Sequence, residues 1–186
     1  MSDQATLLLR KQLRELTKNP VEGFSAGLVD DDNIFEWEIM IIGPPDTLYE
    51  GGFFKALMTF PNTYPLMPPK LKFASDMWHP NGMSKSYRFD LQCLHLDFIH
   101  IVYPDGEVCI SILHPPGEDK WGYEKANERW LPVHTVETIL ISVISMLSTP
   151  NDESPANIEA AKEWREDYPA FKKRVQRMVR RSAEMI

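Results

Sequence analysis

The side chains best suited to covalent chemistry in this 186-residue chain are two thiols, Cys93 and Cys109. Cys109 stands in the run Glu107, Val108, Cys109, Ile110, Ser111, Ile112, Leu113, directly after the turn signal Pro104, Asp105, Gly106. Two readings fit it: a catalytic thiol, or a small buried hydrophobe among Val and Ile. A cysteine hydrolase would need an oriented histidine and acid. His114 and His134 are nearest in sequence, yet neither sits in a hydrolase motif. Cys93 lies in an apolar stretch with no motif around it and reads as incidental. Acids follow at Glu118, Asp119 and Glu153, but Lys120, Lys125 and Arg129 accompany them, so a solvated loop of balanced charge is the alternative to a role in proton handling.

Composition narrows the setting for such chemistry. The formal net charge of −7 argues against nucleic acid as the main partner, since neutralising phosphates needs a basic face. The one local exception is Lys172, Lys173, Arg174, Arg177, Arg180 and Arg181, which read as the solvated side of a last helix or as favourable charge at its end. No segment approaches the roughly 20 apolar residues of a membrane span, because Val136 to Leu147 is broken by Glu137, Thr138, Ser142 and Ser145. No N-terminal stretch joins a basic segment to an apolar run. The expectation is a protein of the cytosol or nucleus, where two cysteines are free thiols rather than a disulfide. With 43% hydrophobic and 25% charged residues, it reads as one soluble domain spanning 1–186.

The elements that must position Cys109 can be read from periodicity. Thr6 to Lys18 places Leu7, Leu8, Leu9, Leu13 and Leu16 near helical spacing, and Asn19 and Pro20 stop it. Phe24 to Val29, Phe35 to Ile42, Phe53 to Phe60 and Lys70 to Phe73 have strand character, separated by turn signals. Short connections imply an antiparallel meander, since parallel pairing needs a crossover each time. Helical signals return at Thr135 to Leu147, at a helix beginning with Ser154 and Pro155, and from about Tyr168 to Met185. Helix, sheet, then helices is an α+β pattern.

The order Tyr64, Pro65, then Pro68, Pro69, Lys70, then His79, Pro80, Asn81, then the Cys109 segment, then Trp130, Leu131, Pro132 resembles the core of ubiquitin-conjugating enzymes over nearly the whole chain. Gly117, Glu118, Asp119, Lys120 through Arg129 is similar to the extra acidic loop, here near 117–129, that one subgroup carries after its cysteine. Asn19 to Phe24 and Ser154 to Asn157 look closest to the G-type enzymes. The resemblance implies a ubiquitin-conjugating fold in which Cys109 accepts ubiquitin's C-terminal carbonyl from the activating enzyme as a thioester. It implies that Asn81 stabilises the oxyanion when a lysine attacks; a turn-capping role for Asn81 is compatible with this. Ser154 falls at the gate opposite the cysteine and carries no charge, so Glu118, Asp119 or Glu153 would assist the incoming amine in its place. Arg10, Lys11 and Arg14, the loop residue Leu66, and Pro132 with Val133 fall where family members meet the activating enzyme and ubiquitin ligases, and Ser25 matches a back-face site for a second ubiquitin. No metal or cofactor is implied; ATP is consumed upstream by the activating enzyme. The subgroup suggests chains that mark proteins for degradation.

One departure stands out. Asn81 would ordinarily precede the cysteine by eight positions, whereas Cys109 lies 28 further on, so Gly82 to Ile101 is extra. Joining Asn81 to Val102 restores the family pattern, which suggests an alternatively spliced segment. Lengthening the connection about 3.5-fold costs only roughly 1 kcal/mol of closure entropy, so the fold should tolerate it. The segment is apolar, with Tyr87, Phe89 and Leu91 alternating and Leu94, Leu96, Phe98, Ile99 and Ile101 following. Such a segment either packs over the thiol or exposes a sticky strand, and either outcome threatens catalysis, leaving a catalytically impaired isoform that acts as a ligase- or ubiquitin-binding module as the alternative reading.

Overall fold

A computed structural model describes residues 2–81, 107–108, 110–119, 124–151 and 155–184. The first helix, α1, runs Ser2–Lys18, and four strands follow: β1 Phe24–Leu28, β2 Glu36–Ile42, β3 Phe53–Thr59 and β4 Lys70–Phe73. They form one antiparallel sheet in the order β1-β2-β3-β4, with Phe24 opposite Ile41, Ile39 opposite Ala56 and Met58 opposite Leu71. Alternation decides the faces. Trp37, Ile39 and Ile41, then Phe54, Ala56 and Met58, then Leu71 and Phe73 are wholly buried, while Glu38 and Lys55 point outward and form an ion pair. Each large apolar side chain so buried contributes about 1.5–3 kcal/mol. Residues 107–108 extend the sheet beyond β4: Val108 N–H donates to Leu71 O at 2.9 Å, and Glu107 pairs with Lys72 across the edge.

Three helices complete the described chain: α2 Val136–Ser148, α3 Ile158–Glu166 and α4 Tyr168–Ala183. Val136, Ile139, Leu140, Val143 and Leu147 of α2 join the sheet's inner face in one core with Ala5 and Leu9 of α1. Thr135 caps α2 with a reciprocal pair to Thr138. The end of α4 returns to the sheet, where Ser182 Oγ accepts from Phe53 N–H at 3.1 Å. None of the described helices is long and apolar enough to cross a membrane.

Strand assignments agree with the sequence reading to within one residue at each end. Three helix details differ, the first being that α1 begins at Ser2 rather than Thr6. Helix α3 begins at Ile158, not Ser154, because the Asn157 side chain caps it by accepting from Ala160 N–H at 3.1 Å, while the Asn157 N–H is drawn to Pro80 O at 2.8 Å. In α1, Leu7 is exposed although it was counted with the apolar face; the polar Gln12 takes a buried position there instead. Segment 82–101, with Cys93, lies outside the described residues.

Candidate active site

The turn Trp78–Asn81 follows β4 and is held by groups far away in sequence. His79 is fully buried, its Nε2 lies 3.1 Å from Met146 O, and its Nδ1 accepts from Asn81 N–H at 2.9 Å. A carbonyl on one nitrogen and an N–H on the other require the neutral ring with its proton on Nε2. Burial pulls the His79 pKa down to about 4, against the opposing pull of the Met146 carbonyl. Pro80 O accepts the Asn157 N–H at 2.8 Å.

Asn81 is also buried. Its amide nitrogen donates to Asn151 O at 2.7 Å and its Oδ1 accepts from Asn151 N–H at 2.8 Å, a two-point pair across 70 residues. The turn-holding role anticipated for this residue is thus present, with the amide fixed in one orientation. Trp78 anchors the other end: its carbonyl accepts from the Tyr49 hydroxyl at 2.8 Å, and its indole N–H donates to Glu163 Oε2 at 2.9 Å. Gly43 makes room for Tyr49, since a Cβ at that position would sit 1.7 Å from Tyr49 O.

Cys109 lies outside the described residues, as do Ser154 and Glu153; its neighbours do not. Val108 is buried on the β4 edge, and Ile110 O accepts from Leu113 N–H at the start of a 3₁₀ turn, Ser111–Leu113. The acidic loop then leaves from His114. Its Nδ1 lies 2.8 Å from Glu124 Oε2, and Arg129 Nε is 3.4 Å from the same oxygen, an ion pair whose angle makes no hydrogen bond. Glu118 is exposed, whereas Asp119 is half-buried and accepts from Glu124 N–H at 3.4 Å. Of the two histidines nearest the cysteine in sequence, His114 therefore has its Nδ1 engaged by a loop carboxylate.

The residues assigned to partner contact all reach the surface. Arg10, Lys11 and Arg14 are exposed on α1. Leu66 is 58% and Val133 74% exposed, and Pro132 is exposed between Leu131 and Val133. The two loops carrying them are tied together where the Trp130 indole N–H donates to Pro65 O at 2.8 Å. Ser25 is exposed on β1. The basic run of α4 is solvent-facing at Lys172, Lys173, Arg177, Arg180 and Arg181, but Arg174 lies over the Trp78 ring with its side chain 42% exposed.

Sequence reasoning missed Gln12, Asn151 and Glu163, and placed Arg174 only within a solvated basic run. Gln12 Oε1 accepts from Val136 N–H at 3.0 Å while its amide nitrogen donates to the Tyr64 hydroxyl at 3.0 Å, joining α1, the 61–69 loop and the start of α2. A polar residue inside an apolar helical stripe was the available signal; for the other three, periodicity offers none.

Comparison with known proteins identifies this arrangement. A family model described as ubiquitin-conjugating enzyme matches residues 8–95 and 83–179, two stretches that overlap inside segment 82–101. Ubiquitin-conjugating enzyme E2 15 of Schizosaccharomyces pombe is 65% identical over 185 residues, spanning 100% of this chain and 99% of the relative. Human ubiquitin-conjugating enzyme E2 G2 is 47% identical over 182 residues, 98% of each chain. The solved structure of human ubiquitin-conjugating enzyme E2 G1 superposes with a TM-score of 0.60 at 56% identity, covering 79% of this chain and 97% of that one. By family model, full-length relatives and fold, the chain belongs to the ubiquitin-conjugating enzymes, among the relatives of their G-type members.

Proposed function

We propose that this chain, with segment 82–101 in place, accepts ubiquitin's C-terminal carbonyl as a thioester on Cys109 and passes it to a lysine amine together with a ubiquitin ligase. One observation carries the reading. The chain on both sides of the insertion is anchored in the core, Asn81 by the Asn151 backbone and Val108 by Leu71 O. Those anchors favour an active enzyme over an isoform that only binds ligases or ubiquitin.

In the transfer step the amine nitrogen attacks the thioester carbonyl, and the carbonyl oxygen becomes an oxyanion. The Asn81 amide is the donor assigned to that oxygen, and being already fixed it needs no reorganisation as charge develops. The intermediate then expels the Cys109 thiolate, and the amine's surplus proton leaves to a nearby carboxylate or to water. Glu118 and Asp119 are the candidates, and Glu118 is the more exposed of the two. Ser154, which matches the family's gate position, carries no charge and does not serve as the base. The proposed reaction needs no bound cofactor, because ATP is spent by the activating enzyme. Arg10, Lys11, Arg14, Leu66, Pro132 and Val133 form the face offered to that enzyme and to ligases, a reading supported by their exposure and by the Trp130–Pro65 tie. The product is ubiquitin chains that mark proteins for degradation in the cytosol or nucleus.

The test is thioester formation with activating enzyme, ubiquitin and ATP, resolved with and without reducing agent. The expected result is a reducible adduct that Cys109→Ala abolishes and that deletion of Gly82 to Ile101 leaves at a similar yield. An adduct seen only after the deletion overturns the proposal in favour of a switched-off, alternatively spliced form.

A further inference from the structure

We infer that Glu163 of α3 and Arg174 of α4 are positioning residues for ubiquitin transfer, acting through Trp78 on the Asn81 amide. The inference rests on the oxyanion role proposed above for Asn81.

The three side chains close a ring of contacts. Glu163 uses its two oxygens separately: Oε2 accepts from the Trp78 indole N–H at 2.9 Å, and Oε1 lies 3.2 Å from Arg174 Nη2. Arg174 places its guanidinium carbon 4.0 Å from the centroid of the same indole. A planar cation can stack on a ring and still direct N–H groups in its own plane toward a carboxylate, which an ammonium cannot do. The Trp78 backbone is held as well, its N–H donating to Met178 Sδ at 3.1 Å and its carbonyl accepting from Tyr49. Every polar group of Trp78 is thus engaged by α3, α4 or the turn carrying Tyr49.

The chain from Trp78 to Asn81 leaves little slack. From Trp78 to Asn81 each residue has its own anchor, so the turn holds the Asn81 amide as one connected unit, and the Trp78 indole fixes one end of it. Packing alone would have been met by an apolar neighbour, and partly burying a carboxylate and a guanidinium carries a desolvation cost. What the charged ring adds is a defined placement of the indole. Placement matters at this position because an oxyanion donor works only within a narrow distance, and misplacement by about 1 Å costs on the order of 10²-fold in rate.

The experiment measures discharge of a preloaded Cys109 thioester to free lysine over a range of lysine concentrations. It uses the full chain, with Arg174→Met, Arg174→Lys, Glu163→Gln and Asn81→Ser, and the Arg174→Met, Asn81→Ser double variant. Thioester loading and thermal unfolding are followed in parallel. Arg174→Met and Glu163→Gln should lower the maximal discharge rate about tenfold while loading and the half-saturating lysine concentration stay unchanged, as expected for an interaction made only in the transition state. Arg174→Lys should recover little, because it restores the charge without the stack. In the Asn81→Ser background Arg174→Met should cost nothing further. Wild-type discharge by Arg174→Met, loading and discharge falling together with thermal stability, or a full additional loss in the Asn81→Ser background each overturns the positioning role. An Asn81→Ser variant that discharges normally overturns the oxyanion assignment itself, and this inference with it.

Discussion

His79 is buried with Nε2 donating to Met146 O and Nδ1 accepting from Asn81 N–H, so a second proton would have to sit against an N–H that already points at it. Its pKa of about 4, set by burial, lies below the ordinary value of 6.5. Between those values the unfolded chain binds a proton that the folded chain refuses. The stability contributed by neutral His79 is therefore complete above about pH 6.5 and is lost as pH falls toward 4, by about 3 kcal/mol over the whole window. Urea unfolding at pH 7, 6 and 5 should show the wild type losing stability more steeply than His79→Gln, and equal slopes would remove this histidine from the account. At this scale sequence reasoning named His79, Pro80 and Asn81 but saw only their order. The partner of Asn81 is a backbone 70 positions away, and no local pattern marks it.

At the scale of elements, α1 is tied to the start of α2 through one side chain. Gln12 Oε1 accepts the Val136 N–H, one of the amides that a helix start leaves without an intrahelical partner, and its amide reaches the Tyr64 hydroxyl. Burial raises the Tyr64 pKa while the bond to Gln12 lowers it, and burial dominates. Gln12→Leu keeps comparable bulk but leaves that buried N–H unpaired. It should lower stability by about 1–3 kcal/mol, read as a shift in the urea midpoint without a change in slope. Strand boundaries were readable because burial alternates with period two along β2 and β3. The start of α3 was not, because Ser154 and Asn157 are both acceptable caps by propensity. The bond from Asn157 N–H to Pro80 O chose between them.

Across the whole molecule, the extra segment Gly82 to Ile101 lies between two anchored residues, Asn81 and Val108, and its thermodynamic effect should be small. Deleting it shortens one loop about 3.5-fold, so the deletion form should be more stable by roughly 1 kcal/mol, measured by denaturant unfolding of both forms. A change of several kcal/mol in either direction would mean that the segment packs as part of the core. The sequence by itself determined the element types, the antiparallel order and the family, because periodicity and motif order are properties of neighbours along the chain. Only the tertiary structure decided that Asn81 is clamped by Asn151, that Gln12 lies inside, and that Arg174 leaves the basic face of α4 to stack on Trp78. Those contacts join residues 70 to 124 positions apart, and burial and hydrogen-bond demand at such range arise only once the core has closed.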